Sequence, residues 1–179
     1  MRGLGWVALA AALLGPGAAR AAPDDPGAAL RSAAEQCLAS NAARVSASTQ
    51  TLTEAVSFLV DDLCAEQITH VSQYRTNMKT IAALQANPPQ PQFTASAERP
   101  VLGAFEDQQN ASAARQTELI KQLKVDPATG ELITPPGFDS TLSLRSMAGS
   151  IFQISITQSE FKASAAKAVL AAKEAAAKH

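Results

Sequence analysis

Aromatic side chains are scarce, at 4% of the chain with one Trp and one Tyr. That scarcity argues against base-stacking surfaces and sugar-binding platforms, which are built on ring faces. Histidine occurs only at His70 and His179, so there is little material for imidazole chemistry. The spacings that mark common active sites are missing too. There is no G-x-S-x-G, no H-E-x-x-H, no phosphate-binding loop, no dinucleotide fingerprint and no C-x-x-C-H. An enzyme is therefore the least supported class, and no cofactor is expected. Charge is balanced, with 15 Lys and Arg against 16 Asp and Glu. The broad basic footprint of a nucleic-acid binder is absent, and no nucleic-acid partner is expected.

The N-terminus is the clearest signal present. Arg2 is followed by an apolar stretch from Leu4 to Leu14, then Gly15-Pro16-Gly17, then Ala19-Arg20-Ala21. A stretch of about 11 residues suits a signal peptide and falls short of the roughly 20 that cross a bilayer. Pro16 and Gly17 end the helix, and small residues at Ala19 and Ala21 suit cleavage after Ala21. Residues 1–21 are thus expected to be a signal peptide. The mature chain is then periplasmic or secreted, with no stable membrane span. Arg2 and Arg20 lie in the leader, so two of the 15 basic residues leave with it, and 13 against 16 is a net charge of −3.

Beyond the leader, the patterning is helical. Leu30, Ala34, Cys37, Leu38 and Val45 form one stripe, giving a helix over about 27–46. The run Ser46 to Thr51 is rich in Ser and Thr, which compete for backbone hydrogen bonds and favour helix ends. Thr51-Leu52-Thr53-Glu54 reads as a capping box. A break near 47–51 is expected, with one unbroken helix to 86 as the alternative, and then a second helix from about 52 to 86. Its stripe is Leu52, Val56, Leu59 and Leu63, then, after a four-residue stutter, Gln67, Val71, Tyr74, Met78, Ile81 and Gln85. Asn87-Pro88-Pro89-Gln90-Pro91 stops it.

Residues 87–105 are expected to be a proline-rich linker, followed by a weaker helix over about 106–124. Lys124 to Thr134 reads as a small hairpin, with Pro127 presetting the turn and Gly130 supplying positive φ. Asp139 or Ser140 then caps a long last helix over about 140–177. Its stripe runs through Leu144, Met147, Ile151, Ile154, Gln158, Phe161, Ala165, Ala168, Ala172 and Ala175. The bulky part, Leu144, Met147, Ile151, Ile154 and Phe161, is the candidate interaction stripe. Packing on the second helix is the preferred role for it, and docking on another chain is the alternative.

Cys37 and Cys64 tie these readings together. An exported chain with two cysteines usually joins them. On one straight helix their 27-residue separation would span roughly 40 Å, whereas a disulfide needs Cα atoms within about 7 Å. A hairpin turning near residue 50, beside the Ser/Thr-rich break, places them side by side. Closing that loop is worth on the order of 3 kcal/mol. With no C-x-x-C, the pair is read as structural; an intermolecular bridge or two free buried thiols are the alternatives.

Two weaker signals remain. Glu66 and His70 at i,i+4 could form half of a metal site, but a solvated Glu/His pair is the better reading, and no metal is expected. Asn110-Ala111-Ser112 matches a glycosylation sequon that matters only in a eukaryotic secretory pathway. The expected fold is all-α. Residues 22–86 form an elongated helical hairpin and residues 106–179 a short helix, the β-excursion and the long C-terminal helix, packed as one three- or four-helix bundle. The expected function is a non-enzymatic interaction or structural protein of the cell envelope, working by helical contact with an envelope protein or with itself. A binding module for an apolar or metal ligand between helices, and a holdase-type chaperone, are the alternatives.

Overall fold

A computed structural model describes residues 25–90, 100–146 and 150–178, with backbone only at 100–103, 144–146 and 150–152. The expected leader, residues 1–21, lies outside the described residues. The first helix, α1, spans Pro26–Ser48. Asp25 caps it, its Oδ1 accepting from the Gly27 amide at 2.9 Å, and Pro26 fills the first turn, where its missing amide costs nothing. Leu30, Ala34, Leu38, Ala42 and Val45 form its buried face. The helix stops where Ser and Thr crowd its last carbonyls. The Val45 carbonyl accepts from the Thr49 amide and hydroxyl and from the Ser48 hydroxyl, at 3.1, 2.8 and 3.1 Å.

The break near residue 50 is therefore real, and the chain reverses there. Helix α2 spans Leu52–Ser57, and Thr51 Oγ1 accepts from the Glu54 amide at 3.1 Å. The return arm of the box differs slightly from expectation: Glu54 reaches the amide of Gln50, at 3.1 Å. The second helical segment is not uniform. Phe58–Leu63 is a π-helical turn, closed by the Cys64 amide on the Leu59 carbonyl at 2.9 Å, and α3 follows over Ala65–Ala86. The π turn absorbs one extra residue, which moves the inner face one position downstream. Leu63 and Gln67 shift to the flank, and Cys64 and Ile68 take the core positions at 0% and 3% exposure. Two further members of the expected stripe lie outside the core: Met78 is 46% exposed and Gln85 is exposed.

The π turn also presents Cys64 to α1. Cys37 and Cys64 form a disulfide with Cα atoms 5.9 Å apart.

Helix α4 spans Pro100–Lys121. It begins six residues earlier than the sequence suggested, so residues 100–105 are helical rather than linker. Pro100 is at the first helical position, where proline starts a helix as readily as it ends one elsewhere. The hairpin is present as β1, Lys124–Val125, and β2, Leu132–Ile133, antiparallel with Val125 opposite Leu132. Helix α5 covers Ser140–Ser146 and α6 covers Ser150–Ala176. Asp139 is the cap of α5, its Oδ1 accepting from the Thr141 amide at 2.9 Å.

Helix α6 closes the bundle, lying mainly on α1 and also on α2 and α3. Its buried line is Thr157, Phe161, Ala165 and Val169. Of the described part of the expected stripe, Phe161 and Ala165 are buried and Ala168 and Ala172 are partly buried in the same core, but Ile154 is 47% exposed, while Thr157 is fully buried. A helix seated between two others needs a broad inner face rather than a heptad seam, so Val169 and Ala168 both turn inward. Ala34, Ala42, Ala55 and Ala165 are all within 2% of full burial, so backbones approach closely where no bulky side chain intervenes.

A second, smaller core lies at the other end of α3. Ile81 and Leu84 meet Ile120 of α4 and Leu123 just beyond its end, with Val125, Leu132, Phe138 and Leu142 against them. Gln116 of α4 holds the turn before α5, donating to the Gly137 carbonyl at 2.9 Å and accepting from the Asp139 amide at 3.0 Å. The fold is thus an all-α bundle with a small β-hairpin.

Candidate functional site

Between the two cores α3 turns a neutral polar face inward. Thr69, Ser72, Gln73, Thr76, Asn77 and Thr80 recur at three- and four-residue steps, so they share one side of the helix. Ser72, Asn77 and Thr80 are 3–6% exposed. The β-hairpin is pinned across the end of this face. Asn77 Nδ2 donates to the Gly130 carbonyl at 2.8 Å. Gly130 has φ +75°, and a Cβ there would stand 2.6 Å from the Tyr74 amide nitrogen. Only glycine meets both demands. Inside the turn, Asp126 Oδ1 accepts from the Ala128 and Thr129 amides at 2.7 and 3.3 Å, which fixes the loop tip.

The hairpin, α3 and the N-terminal half of α6 enclose a groove of about 370 Å³. Its lining is Thr69, Ser72, Gln73, Thr76 and Asn77 from α3, Glu131 and Leu132 from the hairpin, and Ile154 from α6. A smaller depression of about 90 Å³ shares Thr69, Ser72 and Ile154 and extends toward Val60 and Asp61. Among the described residues, Ser72 Oγ, Thr76 Oγ1 and Asn77 Oδ1 have no protein hydrogen-bond partner although they are buried. Such atoms are uncommon, because leaving one unsatisfied costs on the order of 1–3 kcal/mol.

The opposite flank of α6 has a different character. Tyr74, Met78 and Ile156 line a shallow depression with Asp25, Arg75, Lys79, Gln153 and Glu160 around them. Met78 and Ile156 are 46% and 52% exposed. Arg75 pairs with Glu160 at 2.8 Å, and Arg31 approaches the same carboxylate at 3.8 Å. Lys79 Nζ bonds Gln153 Oε1. The result is an apolar centre inside a charged rim.

Of the candidate interaction stripe, Phe161 is buried at 1% and Ile154 is exposed; Met147 and the side chains of Leu144 and Ile151 lie outside the described residues. Phe161 is a core residue, with Arg31 stacked 6.0 Å from its ring centroid. Glu66 and His70 stay on α3 without a third ligand: among the described residues no group of three His, Cys, Asp or Glu side chains comes together. No described helix is long and apolar enough to cross a membrane. Asn110 of the sequon lies within α4, half-buried.

Reasoning from the sequence missed the groove because neutral polar residues on a helix resemble a solvated face. The available signal was their spacing: positions 69, 72, 73, 76, 77 and 80 share one face, and the apolar residues leave that face to them. No known protein family matches the chain, and neither a curated protein nor a solved structure matches it.

Proposed function

We propose that this is an exported, non-enzymatic helical interaction protein of the cell envelope, and that it engages a protein partner through the Tyr74–Met78–Ile156 face. The observation that carries this reading is the arrangement of that face. Met78 and Ile156 stand about half exposed at its centre, and Asp25, Arg75, Lys79 and Glu160 surround them. Protein interfaces have this anatomy, an apolar centre within a polar rim, and adjacent exposed large apolar residues on one face are a stronger indicator than scattered ones. The rest of α6 supports the reading by contrast, since Phe161, Ala165 and Val169 are buried in the core. Export rests on the leader read from residues 1–21.

The test is in-cell crosslinking from a photoreactive residue at 156, with one at 170 as control. Leu170 is equally exposed, at 48%, but lies on the anchored half of α6. A discrete partner captured from 156 and not from 170, and lost in Met78→Asp while the melting temperature holds, supports the proposal. Equal capture from both positions, or capture indifferent to Met78→Asp, overturns it.

A further inference from the structure

The groove on the other flank of α6 has a chemistry of its own. Its walls are Leu132 and Ile154, and its buried polar groups are all neutral. Asn77 is the informative one. Its Nδ2 gives one N–H to the Gly130 carbonyl, and its Oδ1, which has no protein partner, can only accept. Glu131, exposed at the rim, is a second acceptor and carries negative charge. Ser72 and Thr76 hydroxyls can act either way, and neither has a protein partner among the described residues. Ser72 and Asn77 are more than nine-tenths buried. A volume of about 370 Å³ lies within the range of small-molecule sites, which are typically apolar with a few placed polar groups.

We infer that this groove binds a small apolar molecule bearing a hydrogen-bond donor, neutral or cationic, whose donor meets Asn77 Oδ1 and whose apolar body lies against Leu132 and Ile154. The site discriminates by its acceptors. A molecule of the same shape without a donor leaves Asn77 Oδ1 unsatisfied, and an anion faces Glu131. The inference is separate from the partner face, which lies on the opposite flank and shares no residue with the groove.

The intact, disulfide-bonded protein, labelled with ¹⁵N, is titrated with four matched probes: tryptamine, indole, 1-methylindole and indole-3-acetate. Saturable shifts are expected in the amides of Ser72, Thr76, Asn77 and Glu131. Indole should bind roughly three- to tenfold tighter than 1-methylindole, the span that one hydrogen bond covers. Tryptamine should bind at least as tightly as indole, and indole-3-acetate most weakly. Ser72→Ala should weaken indole while leaving the melting temperature unchanged or higher, because a buried hydroxyl without a partner contributes nothing to folding. Ile154→Trp, at an exposed position, should fill the groove and abolish the shifts. Equal affinity for indole and 1-methylindole overturns the inference, as does the lack of a saturable groove shift with any of the four probes. Shifts confined to Met78 and Ile156 overturn it too, and assign the binding to the partner face instead. Unchanged indole shifts in Ile154→Trp, with the melting temperature preserved, also overturn it.

Discussion

The two ends of α3 are stabilised by different means. At the N-terminal end, α1, α2, the π turn and α6 surround a continuous core from Leu30 to Val169, in which Ala34, Ala42, Ala55 and Ala165 lie among larger aliphatic residues and Phe161, with the Cys37–Cys64 disulfide across it. At the C-terminal end four buried residues, Ile81, Leu84, Ile120 and Leu123, form a small core held by the hairpin and the Gln116 clamp. Alanine buries little area per residue, and hydrophobic stabilisation follows area. The large core therefore combines bulky residues such as Leu38, Leu59 and Phe161 with close helix approach at its alanines and a covalent link, whereas the small one rests on four aliphatic residues and fixed turns. Between them lies the polar face of α3, so the candidate site sits where neither core extends.

Five variants sharpen this contrast. The largest effect is expected for Phe161→Ala. Phe161 is the bulkiest of the fully buried side chains, and its removal should cost about 3–5 kcal/mol in chemical denaturation. Leu123→Ala, in the small core, should give a smaller loss, and a reversed order would show that the small core governs global stability. Next comes replacement of both Cys37 and Cys64 by Ala, expected to lower stability by about 3 kcal/mol. Hydrogen exchange should then accelerate across residues 26–64 more than across 116–142; uniform acceleration would mean that the two ends unfold as one unit. Gly130→Ala follows, at roughly 1–3 kcal/mol for a strained backbone, with faster exchange confined to the hairpin and α5. The smallest is Thr51→Ala, about 1 kcal/mol for a lost helix cap, seen as a modest fall in melting temperature with the disulfide intact.

The sequence revealed the architecture wherever local chemistry decides it. Ser48 and Thr49 compete for the Val45 carbonyl, Thr51 caps α2, Gly130 permits its turn, and each of these acts through neighbours a few residues away. The pairing of Cys37 with Cys64 followed from the same break, because the reversal at residue 50 leaves one geometry for them. What the pattern concealed depends on tertiary packing. The π turn at Phe58–Leu63 adds a residue with no distinctive composition, and it shifted the core from Leu63 and Gln67 to Cys64 and Ile68. Ile154 reads as more buried than Thr157, but the seat of α6 between α1 and α3 turns Thr157 inward. Pro100 reads as part of the linker and acts as the start of α4. For the site, the participating residues are ordinary Ser, Thr and Asn, and their role emerges only when Gly130 and Ile154 are brought against them from distant parts of the chain.

The seat of α6 also bears on the order of assembly. Ala165 and Val169 share a core with Ala34 and Leu38, residues separated from them by most of the chain. Contacts this remote pay their loop-closure entropy before any burial rewards them. The α1–α2 hairpin, by contrast, closes over a short loop and can be locked by oxidation of Cys37 and Cys64. During synthesis from the N-terminus, the hairpin waits with the α6-binding side of its core exposed until the last helix arrives. The same long-range closure that completes the fold makes this interval its most aggregation-exposed stage.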